Sequence, residues 1–246
     1  MDIFIISLPE ASERRERITN ILNDVELKYE IFEAINGHKG LPAELVNLPD
    51  DNFRKVFKSR PLSNGERGCY ASHYLLWKKC VELNKPIVIL EDDAIPLEGF
   101  KEALQEIEML HEKYGYIRLE AQFGNHSLVE SINDSLDLVY WNCNDMRTGG
   151  YSISPEGAKA FLAASARWCY SVDYFIGSSY LHKVPALGVL PPVVSSPNDL
   201  GTYIQLDAKT KVGLLYKITR ESYRFYRFCR MALWNVKSRK LFRSVR

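Results

Sequence analysis

Apolar and polar positions along this chain follow two periods, one of two residues and one near 3.6, and segments of the two kinds take turns. Residues 3–8 read as a short apolar strand. Ile18, Ile21, Leu22 and Val25 mark a helix over about residues 12–24, and residues 29–34 return to strand character, so the chain opens with a βαβ unit. Gly37, Gly40, Pro42, Pro49 and Pro61 make residues 37–62 a long loop with room for one short helix. Ser63 and Glu66 have the spacing of a capping box, which predicts a helix through about Leu83, stopped by Pro86.

Ile87-Val88-Ile89-Leu90 is apolar on both faces, as a central parallel strand requires, and it runs directly into Glu91-Asp92-Asp93. A helix near 98–113 and strands near 116–120 and 136–141 follow. Ser154 then caps a helix with Pro155 at its first position. A helical stretch over 172–180 and a strand over 184–189 come next, and Pro191-Pro192 closes the pattern. The alternation predicts an α/β fold built on a mixed, mostly parallel sheet.

The 246 residues, 46% hydrophobic and 26% charged, support one sizeable core and exclude a disordered or fibrous class. The formal charge of +1 argues against nucleic acid as a partner, but it averages over a split. From residue 211 onward there are 11 Lys/Arg and one acid, Glu221, while residues 1–210 hold 21 basic and 30 acidic side chains. We therefore expect a single domain over 1–210 and a basic, aromatic, amphipathic helical tail over 211–246. Five scattered cysteines with no Cys-x-x-Cys pair read as reduced thiols of a cytoplasmic protein. Met1 to Leu8 is too short an apolar run for a leader, and nowhere do 18 apolar residues follow one another.

The acidic triplet is the strongest chemical signal. It lies at the carboxyl end of a buried strand, where open α/β sheets bind ligands, and a hard divalent cation such as Mg²⁺ or Mn²⁺ would relieve its repulsion while bridging a diphosphate. An acidic loop that caps the next helix is the competing reading. Glu66, Tyr70, His73 and Trp77 share one stripe of the helix that Ser63 opens, which suits either a nucleotide or sugar pocket or a half-buried face. Arg14, Arg15 and Arg17 oppose the dipole of the first helix, so they serve either phosphate binding or a solvated face.

Taken in order, Ile5-Ile6-Ser7-Leu8 with Arg14-Arg15, Phe32 to Gly37, Leu62 to His73, Ile89 to Ala94, and Gly149-Gly150-Tyr151 with Gly157-Ala158 resemble glycosyltransferase family 25, the lipooligosaccharide biosynthesis glycosyltransferases. The resemblance spans about residues 3–180 and departs from the family at Arg67, where an aliphatic residue is common. It implies a GT-A-like nucleotide-sugar domain that moves a hexose, galactose before glucose, from a UDP-sugar to a lipooligosaccharide acceptor with inversion. Glu91 and Asp93 are then the metal carriers for Mn²⁺ or Mg²⁺, with Asp92 either assisting or pointing elsewhere. Ser7, Leu8, Arg14, Ala34 and Asn36 fall at the donor-nucleotide end, and Glu66, Ser72 and His73 near the donor. Asp173 is the first candidate for the catalytic base and Glu120 the second.

Aromatic side chains interleaved with cations in the tail suggest a helix on an anionic membrane surface, holding the enzyme peripherally at the cytoplasmic face of the inner membrane. A solvated helix packed on the domain, and a non-catalytic membrane-binding adaptor, are the alternatives.

Overall fold

The computed structural model describes residues 1–122, 124–142, 147–196 and 213–243. Cys143 and the expected boundary between residues 210 and 211 lie outside them. Three elements open the chain as the periodicity predicts: strand β1 (Asp2–Ser7), helix α1 (Ser12–Asp24) and strand β2 (Tyr29–Glu33). Helix α2 (Asp51–Lys58) is the one short helix of the long loop, capped by Asp50, whose carboxylate accepts from the Phe53 N–H. Helix α3 (Asn64–Leu83) begins with the reciprocal capping box of Ser63 and Glu66. Strand β3 (Ile87–Glu91), buried from Ile87 to Leu90, follows it.

Next come the two-residue strand β4 (Ile95–Pro96), helix α4 (Phe100–Leu110), and strands β5 (Tyr116–Arg118), β6 (His126–Asn133), β7 (Leu136–Trp141) and β8 (Gly150–Ile153). Helices α5 (Pro155–Ala164), α6 (Val172–Ile176) and α7 (Ser179–His182), strands β9 (Leu187–Leu190) and β10 (Val194–Ser195), and helix α8 (Leu214–Arg243) complete the chain.

Eight strands form one sheet in the order β2-β1-β3-β8-β5-β9-β7-β6. Six of them run the same way. The two reversed strands are β8, set between β3 and β5, and β7, set between β9 and β6. The strand period divides the core: Ile3, Ile5, Val88 and Leu90 pack with α1 and α4, while Phe4, Ile6, Ile87 and Ile89 pack with α3, α5 and α6. β3 therefore has apolar cover on both faces, which is why its sequence shows no alternation.

Differences from the sequence reading have local causes. The strand β8 is hidden in a Gly-Gly segment because its pairing is supplied by both neighbours rather than by its own propensity. The edge strand β6 alternates only weakly and carries two register shifts against β7. The helical stretch over 172–180 divides into α6 and α7, with Gly177 as the last cap of α6.

The three arginines of α1 are not a solvated face. Arg14 reaches Asp92, Arg15 reaches Ser7 and Glu33, and Arg17 donates to the Asp93 carbonyl, so α1 is laced to the carboxyl ends of β1, β2 and β3. Helix α8 lies against the body. Tyr223 packs edge-on to Phe53 and hydrogen-bonds Tyr170, and Asn235 bridges the Tyr140 hydroxyl and the Asn142 carbonyl.

Candidate active site

The carboxyl ends of β1 and β3 lie side by side, in register as Ile6 against Glu91, and this places Ser7, Glu91, Asp92 and Asp93 on one rim. Glu91 is fixed from two sides. His73 Nε2 lies 3.2 Å from its Oε1, and the Thr148 hydroxyl donates to the same oxygen. Behind His73, its Nδ1 is 2.8 Å from the Tyr151 hydroxyl, and that hydroxyl accepts from the Trp77 indole N–H at 2.9 Å. A tyrosine hydroxyl has one hydrogen to give, so the consistent arrangement has Tyr151 donating to Nδ1 and the Nε2–H donating to Glu91. Trp77, Tyr151 and His73 are all fully buried. The stripe noted on α3 is thus core at Tyr70, His73 and Trp77, and it meets the rim through the His73 bond to Glu91.

The second motif reaches the rim through glycine. A Cβ on Gly68 would lie 2.2 Å from the Ile35 carbonyl, and one on Gly37 would lie 1.8 Å from the Asn64 carbonyl, so α3 touches the loop after β2 backbone to backbone. Ser72 secures the contact, accepting from the Ile35 N–H at 2.9 Å and donating to the Gly68 carbonyl.

Two cavities meet at the acidic rim. The smaller, about 140 Å³, is lined by Ser7, Leu8, Arg14, Ala34, Asn36, Ser72 and Asp92. The larger, about 330 Å³, is lined by Glu66, Glu120, Thr148, Ser171, Asp173 and Tyr174. Cys69, Glu91 and Asp93 line both and form the wall between them. Of the residues expected near the donor, Glu66 alone faces only the larger cavity. Both of its oxygens are held by Arg60, at 2.6 and 2.8 Å, and one also accepts from the Ser63 N–H. His73 stands behind Glu91 rather than in either lining.

Residues 1–176 match the family model described as Glycosyltransferase family 25 (LPS biosynthesis protein). This chain belongs to that family. It is 31% identical to procollagen galactosyltransferase 2 of Homo sapiens over 181 residues, which are 67% of this chain and 28% of that protein. It is 32% identical to the lipooligosaccharide biosynthesis protein lic2B of Haemophilus influenzae over 173 residues, 65% of this chain and 62% of that one. The chain thus spans little more than a quarter of the length of the procollagen enzyme. Among solved structures, the crystal structure of A197 from STIV is 15% identical, covers 78% of this chain and 82% of its own, and has a TM-score of 0.40, too loose a likeness to carry an argument.

Electrostatics in this family 25 member separate the two rim acids. Burial works to raise Glu91, but the hydrogen bonds and charge of its surroundings, His73 foremost, hold it below the usual carboxylate range. Asp93 is pushed up to about 6 by burial and by the Glu91 charge. Asp93 Oδ1 is buried and has no hydrogen-bond partner among the described residues. An unpaired carboxylate oxygen beside a second carboxylate fits a hard divalent cation. The Cys69 sulfur, a His73 ring nitrogen and a Glu91 oxygen also lie within 4.8 Å of one another, as ligand atoms of a metal site can. Burial, reinforced by the charges of Glu91, Asp173 and Asp93, pushes the Cys69 thiol well up and keeps it protonated. Cys69 and Tyr151 fall in the motifs and Thr148 just before one, but sequence assigns them no role, because their value lies in what they touch. Four described cysteines, Cys69, Cys80, Cys169 and Cys229, are free thiols.

The two candidate bases differ sharply. Asp173 lies in the first turn of α6, where Ser171 and not Asp173 occupies the N-cap position, so the carboxylate is not a helix cap. Glu120 is 1% exposed. It accepts from Arg118 at 2.7 Å, from the Gly149 N–H at 3.1 Å and from Ser196 at 3.3 Å. A Cβ on Gly149 would come within 3.0 Å of Glu120 and 2.2 Å of Ser196, which explains the glycine there.

Burial, with the Glu91 charge added, raises Glu120 from 4.5 to about 7 against the pull of Arg118. An acid raised on folding binds its proton more tightly in the folded state, so its contribution is present below about pH 4.5 and is lost as pH rises through about 7. Wild type should therefore lose roughly 3 kcal/mol relative to Glu120→Gln across this window. Urea unfolding of both proteins at several pH values checks this, and parallel stability profiles would refute it.

Proposed function

We propose that this family 25 member is a GT-A-type inverting transferase that moves galactose from UDP-galactose to a saccharide acceptor of the lipooligosaccharide class. The observation that carries the reading is the shared wall. Residues of the nucleotide end line one cavity, both candidate bases line the other, and Glu91 and Asp93 stand between them. The names of two matched relatives, a procollagen galactosyltransferase and a lipooligosaccharide biosynthesis protein, support the choice of sugar and acceptor.

In this reading Glu91 and Asp93 hold Mn²⁺ or Mg²⁺, which when bound supplies positive charge to the diphosphate. The smaller cavity binds the nucleotide, with Arg14 and Asp92 paired at 3.1 Å on its wall. His73 and Thr148 keep Glu91 in one orientation. Asp173 takes the proton of the acceptor hydroxyl as its oxygen bonds the anomeric carbon. The carbon–oxygen bond to UDP breaks on the opposite face, and its electron pair leaves with the diphosphate. Glu120, held by three donors, shapes the floor of the cavity.

Turnover of UDP-galactose, UDP-glucose and their N-acetyl forms in the presence of Mn²⁺ tests the assignment. UDP-galactose should have the highest kcat/KM. Asp93→Ala should remove most activity, and chelator-resistant transfer by the wild type would refute the metal. Asp173→Asn should lower kcat by a factor on the order of 100 to 10,000 with UDP binding unchanged; near-normal turnover would exclude Asp173 as the base.

The face of α8 turned away from the body presents Leu215, Ile218, Phe225, Leu233 and Val236 at helical spacing, each more than half exposed. Among the described residues no helix is long and apolar enough to cross a membrane. We propose that this stripe and the neighbouring cations rest on anionic lipid at the cytoplasmic face of the inner membrane. Cosedimentation with vesicles containing phosphatidylglycerol should weaken with salt and be lost in the double variant Phe225→Glu/Leu233→Glu. Undiminished binding by that variant would exclude the stripe.

A further inference from the structure

A second face of α8 borders a cavity of about 420 Å³ between the helix and α6–α7. This is the size of a ligand pocket rather than a packing defect, since such pockets run from about 300 to 1,000 Å³. Its sides are built. Arg227 donates to Ser178 at 3.1 Å and lies 5.0 Å from the Tyr174 ring, Arg230 lies 5.3 Å from the Tyr180 ring, and Asn235 is tied to Tyr140 and Asn142.

Tyr174 lines this cavity and also the larger cavity at the acidic rim, so the two cavities share a residue. It directly follows Asp173 in the chain. The sign of charge reverses across it. Among the described residues, the rim cavity is lined by Glu66, Glu91, Asp93, Glu120 and Asp173 with Arg147 as the one cation, whereas the α8 cavity is lined by Arg227 and by Arg224, which pairs with Glu221 at 2.9 Å, and by no acid. A saccharide whose reacting hydroxyl sits at Asp173 continues over Tyr174 into a space with aromatic walls and two guanidinium groups. Aromatic faces suit the apolar faces of sugar rings, and guanidinium groups suit carboxylate or phosphate.

We propose that α8 forms an outer acceptor subsite, which binds an anionic substituent of the saccharide one or more sugar units away from the hydroxyl that reacts. The proposal rests on the transferase reading for the direction of the acceptor, but the site it names can be measured without catalysis. It also separates two jobs on one helix, because Arg224 and Phe228 line the cavity while Phe225 and Leu233 belong to the outward stripe.

The test is direct binding of saccharides to the full chain by calorimetry, with lactose, 3′-sialyllactose as the carboxylate and a lactose phosphate monoester as the phosphate. At least one anionic saccharide should bind about tenfold more tightly than lactose, and that preference should fade with salt. The tighter of the two anions identifies the substituent. Arg224→Gln and Phe228→Ala, both at exposed positions, should each weaken the anionic saccharide several-fold and leave UDP binding unchanged. Equal affinity for all three saccharides overturns the subsite, as does wild-type affinity in both variants. UDP-sugar turnover is scored separately. A chain that prefers the anionic saccharide yet turns over no UDP-sugar keeps the subsite and refutes the transferase reading, and active enzyme without the preference does the reverse.

Discussion

Four side chains in a row, Trp77, Tyr151, His73 and Glu91, connect the interior to the acidic rim by hydrogen bonds of 2.9, 2.8 and 3.2 Å. Each link has one sensible direction, because the indole is only a donor and the carboxylate only an acceptor. Buried polar groups cost little when every partner is in place and much when one is missing, so the chain permits one geometry of Glu91. It spans α3, β8 and β3, and β8, reversed beside β3, brings Tyr151 opposite Ile89 and within reach of His73. Sheet topology and the orientation of a rim carboxylate are therefore one constraint.

The rim concentrates negative charge that the body does not neutralise. Arg14 answers Asp92 and the His73 and Thr148 bonds answer Glu91, but Asp93 keeps a buried oxygen with no hydrogen-bond partner among the described residues and a raised pKa. Leaving such an oxygen unsatisfied carries a penalty of about 1–3 kcal/mol unless a ligand covers it. The same rim separates two cavities, so an ion held there is within reach of groups bound on either side. Arg118 and Glu120 contrast with this arrangement. That pair is equally buried at 1% exposure each, but its hydrogen bonds are complete, which suits scaffolding.

Helix α8 joins the acidic body to the basic end of the chain. Its inner face packs by Tyr223 on Phe53 and Tyr170, one flank borders the cavity beside α6 and α7, and the outward face keeps large apolar side chains in solvent. The composition of the tail pointed first to a lipid-facing helix, with packing on the domain as the alternative, and the inner face does pack on the body. That it also closes a cavity follows from side chains more than 40 residues away in sequence, such as the Arg227–Ser178 contact.

By itself, the sequence determined the alternation of elements, the capping box at Ser63 and the cap at Ser154, the buried central strand with acids at its end, and the family motifs. These are local properties, set by period, by steric preference and by neighbours within a helical turn. Only the tertiary structure decided that β8 runs reversed between β3 and β5, that the α1 arginines bind the strand ends instead of water, and that Glu66 turns to Arg60 and the larger cavity. It also decided that Cys69, Thr148 and Tyr151 belong to the rim. Such facts depend on which distant segments share a surface, and a single chain read in order carries no distance between residues that the fold brings together.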